Sequence, residues 1–302
     1  METRILSIGG KEIPITSPDL LLWPQQGITK WDYLRYLLAV APFMIPYTRD
    51  RMLMIWRYPE GIGGRRIEER SIHGSAPDWV SRTVYNGKER ILLNDAAVLA
   101  WAASRGALEF HVPFDRHDRK DYPTELVFDL DPSEGMDFGV VRKVAEELRK
   151  VLDSLSLRSF PKTSGATGLQ IFVPIAPVYT FEQTRQLNRF IAEYMLRHMP
   201  ETITLERVPS RRGGKLYFDY LQLWRGRTMA AVYSVRARPE AAVSAPVTWE
   251  EVKLGFRPTD FTVASMPARL MKTGDLFRFV SGVTDRLNQR LDPILDFVRG
   301  HT

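Results

Sequence analysis

A mixed α/β or α+β fold is predicted by three features of this chain. Short apolar runs with the period-two alternation of strands recur along its length. Between them lie longer stretches with apolar residues at helical spacing, and a mixed sheet with helices packed on it is the simplest way to bury both. At 302 residues and 44% apolar content the chain is large enough for one big domain or two small ones, and it shows no fixed-period repeat, low-complexity tract or long linker. One domain over residues 1–302, with two lobes, is the expectation.

Residues 4–16 read as a hairpin, with Ile5, Leu6 and Ile8 leading into Gly9-Gly10 and then Ile13 and Ile15. Thr29 to Asp32 opens a helix through about Val40, carried by Tyr33, Leu34, Leu37 and Leu38 and stopped near Pro42. Met52 to Tyr58 is strand-like, and residues 59–78, rich in Gly, Arg and Pro, read as a basic loop. A helix from Asn94 to Arg105 precedes a strand, Leu108 to Pro113, and then the strand Leu126 to Pro132. An amphipathic helix over residues 138–155 follows. Strands near residues 157–161 and 169–174 flank a Gly-containing turn. The reading closes with a helix over 181–199, a strand over 202–208, a basic turn from Ser210 to Lys215 and a strand from Leu216 to Leu221.

Composition excludes several chemistries. Cysteine is absent, which removes disulfides, thiolate zinc sites and thiol nucleophiles. The first residues lack a cationic stretch followed by an apolar run, and no window reaches the roughly 18 apolar residues of a membrane span, so a cytoplasmic protein without a membrane partner is expected. Formal net charge is +6. The cationic side is rich in Arg, whose planar fork suits phosphate, so a polyanionic partner is favoured.

The most informative segment is Leu126-Val127-Phe128-Asp129-Leu130-Asp131-Pro132. Alternation along a strand puts Asp129 and Asp131 on one face, about 7 Å apart, where like charges repel unless a cation lies between them. Asp219 repeats the anomaly inside Leu216 to Leu221. Three acids on neighbouring strands suit two divalent ions, Mn²⁺ or Mg²⁺, in the arrangement used for in-line phosphoryl and nucleotidyl transfer. The alternative is that Asp131 caps a turn at Pro132 and Asp219 pairs with an arginine.

Three further features carry chemistry. Lys162 to Gln170 lies between two strands and offers hydroxyls, an ammonium and glycines, the materials of a phosphate cradle or of an ordinary turn, without Walker A spacing. His111 shares a strand face with Glu109, which orients the ring, whether as a catalyst or as a satisfied core histidine. Arg236 and Arg238 project from one face of an extended segment and suit a triphosphate, or are a surface pair.

Taken in order, nine segments resemble the polymerase domain of bacterial DNA ligase D, a branch of the archaeo-eukaryotic primase superfamily used in non-homologous end joining. They are Leu22-Trp23-Pro24, Gly27 to Lys30, Arg57-Tyr58-Pro59, Ala107 to His111, Val127 to Pro132, Phe160 to Gly165, Asp219 to Gln222, Tyr233 to Arg238 and Thr248 to Glu251. The resemblance implies a primase-type catalytic core of β-sheets flanked by helices. It makes Asp129, Asp131 and Asp219 the metal-binding catalytic aspartates, with Asp219 also activating the primer 3′-hydroxyl. Ser164 and Gly165 match the motif that holds the incoming triphosphate, with Lys162, Thr167 and Gln170 around it. His111 and Arg236 match nucleotide contacts, and Lys30 matches a lysine that grips the 5′-phosphate across a gap. The expected DNA-facing set adds Arg57, Arg65, Arg66, Arg70, Arg211, Arg212, Lys215 and Arg238.

The resemblance further implies gap filling and 3′-end extension at broken DNA, a preference for ribonucleoside triphosphates and Mn²⁺, and a location at the nucleoid. The chain carries neither a ligase lysine motif nor room for a ligase domain, so it is either an excised domain or a stand-alone polymerase that works beside a separate ligase and Ku. Alternatives are a primase-polymerase that starts chains de novo, a weakly catalytic end-bridging module, or a two-metal nuclease. The chain also departs from the family pattern. The second motif usually ends in Gly-Lys-Gly-Leu-His, where this chain has Ala166-Thr167-Gly168-Leu169-Gln170. A cation and an imidazole are thus replaced by neutral groups, which implies retained activity with weaker nucleotide binding or altered metal preference. A second phosphate-binding lysine is replaced by Leu20, and an aromatic pair by Ile67-Glu68, with Arg65, Arg66 and Arg70 placed to compensate.

Overall fold

Gly9 and Gly10 both adopt positive φ, the requirement of a two-residue turn that matches strand twist, so Thr3–Ile8 (β1) and Lys11–Thr16 (β2) close as an antiparallel hairpin. The structure, a computed structural model, describes residues 2–71 and 76–300. Short strands Leu21–Trp23 (β3) and Ile28–Thr29 (β4) then lead into Lys30–Thr48 (α1). The helix starts where expected, and Thr29 and Asp32 form a reciprocal capping box, with Thr29 Oγ1 accepting from the Asp32 amide and Asp32 Oδ2 from the Thr29 amide.

α1 does not stop at Pro42. It runs through Pro42 and Pro46 to Thr48. The two prolines lie four residues apart on an outer face, where the carbonyls they leave unpaired can meet water, while Leu37, Val40, Ala41, Met44 and Ile45 stay buried and α1 packs on Ala96–Ser104 (α2). Packing outweighs the lost backbone bonds.

Between these helices lie Met54–Arg57 (β5), Ile67–Glu69 (β6), Arg82–Tyr85 (β7) and Lys88–Ile91 (β8). The stretch expected to be loop therefore contains a strand, because Ile67–Glu69 pairs antiparallel with β5. Residues 72–75 of that stretch lie outside the described residues. β7 and β8 form a hairpin across Asn86-Gly87, both at positive φ.

After α2 come Ala107–Val112 (β9), Glu125–Asp131 (β10), Phe138–Ser154 (α3), Phe160–Thr163 (β11), Leu169–Pro174 (β12) and Phe181–His198 (α4). Ile203–Thr204 (β13), Leu216–Asp219 (β14), Met229–Ala230 (β15), Trp249–Leu254 (α5), Met266–Thr273 (α6), Arg278–Ser281 (α7) and Asp292–Arg299 (α8) complete the order. β11 starts later than expected, and the strand expected over 202–208 shrinks to two residues, since only Ile203 and Thr204 pair with β14. No helix among the described residues is long and apolar enough to cross a membrane.

The chain divides into two units. One comprises Met1–Pro113, Thr228–Ala245 and Thr259–Asp275. Its sheet has the order β15-β9-β5-β6, all antiparallel, with α2 packed on β9. The other comprises Phe114–Arg227, Pro246–Pro258 and Leu276–Thr302. Its sheet has the order β11-β12-β10-β14-β13, antiparallel except for the parallel β13–β14 pair, with α3 and α4 packed on β10. Sheets carrying helices, one of them mixed, agree with the fold class expected from sequence.

Candidate active site

Four strands of the second unit put four polar side chains in one row. In register across the sheet, Lys162 pairs with Gln170, Gln170 with Asp129, and Asp129 with Asp219. Directly opposed residues share a face, so all four project to the same side. Asp131 belongs to the same face one pleat along, opposite Tyr217. On the other face Leu126, Phe128 and Leu130 are buried, and Phe128 packs on Phe218. The apolar half of β10 and β14 fixes the register that brings the acids together.

Asp129 is closely surrounded by protein yet keeps a partly accessible surface. Burial, then the Asp219 and Asp131 charges, pushes its carboxyl up to about 7, against a hydrogen bond from Gln170 and the charge of Lys162. Asp219 is also raised, chiefly by burial, although the Tyr217 hydroxyl (3.0 Å) and the Leu221 amide (2.9 Å) both donate to its Oδ1. Asp131 pairs with Arg212, whose Nη1 lies 3.0 Å from Oδ2 and whose guanidinium stacks 4.2 Å over the Tyr217 ring.

Two of the three acids, Asp131 and Asp219, are thus engaged by these partners. Among the described residues no three His, Asp or Glu side chains converge as they stand on a point that would hold a metal ion. The donor set nevertheless suits a hard divalent cation: all its ligands are oxygens, and the like charges that disfavour ionised Asp129 are relieved by one. Asp131 meets Arg212 through Oδ2 alone, and its other oxygen is the one it can turn to a cation.

Residues 164–168 form a closed turn beside this row. Ser164 Oγ accepts from the amides of Ala166 (3.1 Å) and Gly168 (3.0 Å), and the Ser164 amide donates to Gly168 O. Gly165 has positive φ and Thr167 is exposed. Gly168 presses on β10: a Cβ there would meet Leu130 O at 2.6 Å. Gly168→Ala is therefore expected to push the turn off β10 and destabilise the protein by about 1–3 kcal/mol, read as a lower urea midpoint. A variant with wild-type stability would show that the turn is free to shift.

The first unit holds a separate cluster. Glu109, 2% exposed on β9, lies 3.0 Å through Oε2 from His111 Nε2 and 2.8 Å from Arg236 Nε, and its Oε1 accepts from the Ala237 amide. Burial pushes its carboxyl up, but the His111 contact and the Arg236 charge outweigh this and hold it below the usual carboxylate range. Trp56 stacks at 4.8 Å on the His111 ring, and Arg66 lies 4.4 Å over Trp56. The segment carrying Arg236 is irregular and is fixed locally. Tyr36 Oη donates to Tyr233 O, and Ser234 Oγ accepts from the Phe110 amide. Arg236 and Arg238 therefore do not share a face: Arg236 turns in to Glu109 and Arg238 is exposed.

The remaining cations divide by what already occupies them. Arg65, Arg66, Arg70, Arg211 and Arg238 are exposed, with Arg70 bonded to Glu68. Arg57 donates to Glu69 and to Arg105 O, and Lys215 to Pro200 O. Lys30 is buried with Nζ 2.8 Å from Thr16 O, and burial pushes its ammonium down. The first two amides of α1 donate to Leu20 O and Pro18 O, so the helix end is satisfied by its own chain. Glu109, Tyr217 and the Lys162–Gln170 contact emerge as organisers of these clusters. Glu109 was legible as a same-face neighbour of His111, whereas the role of Tyr217 depends on register.

Residues 29–277 match the model of the LigD primase-polymerase domain. The chain is 36% identical over 264 residues to the bifunctional non-homologous end joining protein LigD of Bacillus subtilis, covering 87% of this chain and 43% of that protein. It is 34% identical over 248 residues to the multifunctional non-homologous end joining protein LigD of Mycolicibacterium smegmatis, covering 80% of this chain and 32% of that one. The chain thus spans less than half the length of these relatives. The polymerase domain from Mycobacterium tuberculosis ligase D, solved in complex with DNA, is similar with a TM-score of 0.83 and 30% identity, over 89% of this chain and 98% of that one. The chain belongs to the LigD primase-polymerase domain family, a family of DNA nucleotidyltransferases.

Proposed function

We propose that this protein is a template-directed nucleotidyltransferase that fills gaps and extends 3′ ends during non-homologous end joining. It would act on DNA ends or gaps with nucleoside triphosphates as substrates, beside Ku and a DNA ligase, and would favour ribonucleotides and Mn²⁺. The carrying observation is the facing pair Asp129 and Asp219, with Asp131 on the same sheet face and an ammonium and carboxamide beyond it.

In this reading Asp129, Asp131 and Asp219 hold divalent ions, Mn²⁺ or Mg²⁺. When bound, such an ion lowers the pKa of the primer 3′-hydroxyl and neutralises phosphate charge. Tyr217 keeps Asp219 oriented through its hydroxyl, and Asp219 stands ready as acceptor for the 3′-hydroxyl proton. Lys162, Ser164, Gly165, Thr167 and Gln170 line the proposed triphosphate side. Of these, Ser164 uses its oxygen to shape the turn, accepting from the Ala166 and Gly168 amides. His111 and Arg236, held by Glu109, are proposed nucleotide contacts. The exposed Arg65, Arg66, Arg70, Arg211 and Arg238 would meet DNA phosphates, which makes binding fall with salt.

Primer extension on a gapped duplex with Mn²⁺ tests this. Asp219→Ala is expected to lose about 10³-fold in rate, the several kcal/mol that metal-assisted catalysis supplies. Extension by that variant at the wild-type rate would sink the assignment. Products without a primer would favour a primase, degradation without nucleotides a nuclease, and tight end binding without incorporation an end-bridging module.

A further inference from the structure

Gln170 carries out a second task that its place beside the proposed triphosphate site does not explain. Lys162 and Gln170 are 0% and 4% exposed. Lys162 Nζ donates to Gln170 Oε1 at 2.6 Å, and Gln170 stands directly opposite Asp129 in the β10–β12 ladder. A carboxamide has one oxygen that only accepts and one nitrogen that only donates. An ammonium has no acceptor capacity, so it binds the oxygen end and turns the nitrogen end toward Asp129.

We infer that Gln170 is a positioning residue for Asp129, locked in one orientation by the buried Lys162, so that the Asp129 carboxylate is set before any metal or nucleotide arrives. The inference rests on the metal-binding reading of Asp129 given above. Three strands in register supply the relay, and each member is held by the ladder on both sides or by a buried neighbour. Without the ammonium the amide would be free to flip and present its oxygen to the carboxylate, which repels it. Asp131 and Asp219 are oriented by different partners, Arg212 and Tyr217, so Gln170 acts on Asp129 alone.

Mn²⁺ titration of the full chain without nucleotide, followed by calorimetry and by the electron paramagnetic resonance signal of free Mn²⁺, tests this. Nucleotide contacts then contribute nothing. Gln170→Met, uncharged and of similar volume, is expected to weaken Mn²⁺ binding about tenfold, the usual low end for losing a group that orients a metal ligand. Gln170→Asn stays polar and uncharged but is one methylene short of bridging Lys162 and Asp129. It is expected to weaken binding in the same direction and serves if the Met variant does not fold. Gln170→His, whose neutral ring accepts at one nitrogen and donates at the other, is expected to bind Mn²⁺ within about threefold of wild type at pH 8. Wild-type Mn²⁺ affinity in both the Met and Asn variants, with Asp129→Ala having lost it, would overturn the relay and leave the metal site standing. Undiminished affinity in Asp129→Ala would overturn both.

Discussion

Replacing Asp129 with Asn is expected to remove nucleotide incorporation and, at the same time, to stabilise the metal-free protein. Both effects have one origin. Asp129 faces Asp219 across the ladder and shares its strand face with Asp131, and its carboxyl is pushed up to about 7 by burial and by those two charges. The ionised form is unfavourable there until a cation neutralises it. Asn keeps the shape and can still accept from Gln170, but has no charge to desolvate or repel. At 1.36 kcal/mol per pKa unit the raised value corresponds to about 4 kcal/mol at most. Allowing for the solvent that reaches the residue, a gain of roughly 1–3 kcal/mol is expected, or several degrees in Tm. The loss of rate in primer extension is about 10³-fold.

The sign follows from where the group titrates. The ordinary carboxyl value is 3.8, and the folded value lies near 7. A carboxyl raised on folding leaves stability intact below about pH 4, costs stability progressively as pH rises to about 7, and costs a constant amount above that. Melting in EDTA from pH 4 to 8 should therefore show wild type and Asp129→Asn close together at the acid end, with the variant drawing ahead toward neutrality. Adding Mn²⁺ should raise the wild-type Tm and leave the variant's unchanged. A variant less stable than wild type at pH 8 in EDTA would contradict the charge-repulsion account.

What could be read without a structure was local in sequence. The capping box of α1 needs only Thr29 and Asp32. The acid pair in β10 follows from strand alternation alone, and the oriented His111 needs only Glu109 two residues away. The Asn86-Gly87 turn is equally local, but the residues on either side are mostly polar and half-exposed and carry no apolar alternation to mark a hairpin. Other features were illegible for a physical reason. α1 passes Pro42 because α2, distant in sequence, buries its inner face. Arg212 and Asp131 lie 81 residues apart, and which arginine reaches which acid is decided by β14 register. Arg236 turns inward because Glu109, distant in sequence and on another strand, offers a buried countercharge. The comparison with relatives supplies the reaction class, but not these pairings.

Glu109→Gln should produce a large loss of stability for a conservative change, and it separates folding from nucleotide binding. Glu109 contacts His111 and Arg236 through one oxygen and the Ala237 amide through the other, inside a nearly closed site. Gln retains size and some hydrogen bonding, but it leaves the Arg236 guanidinium without its buried countercharge. Breaking such a pair from one side costs about 3–5 kcal/mol when fully buried, and the partial exposure of Arg236 brings this to about 2–4 kcal/mol. Urea denaturation at pH 7.5 reads it directly. Nucleotide KM should rise about tenfold or more, because both proposed contacts lose the group that aims them. In the double variant Glu109→Gln, Arg236→Met no charge is left unpaired, so most of the stability should return while KM stays high. Strictly additive losses in that double variant would mean that the two residues do not act as a pair. Recovery of KM together with stability would mean that Arg236 makes no contact with the nucleotide, and that the cluster serves the fold alone.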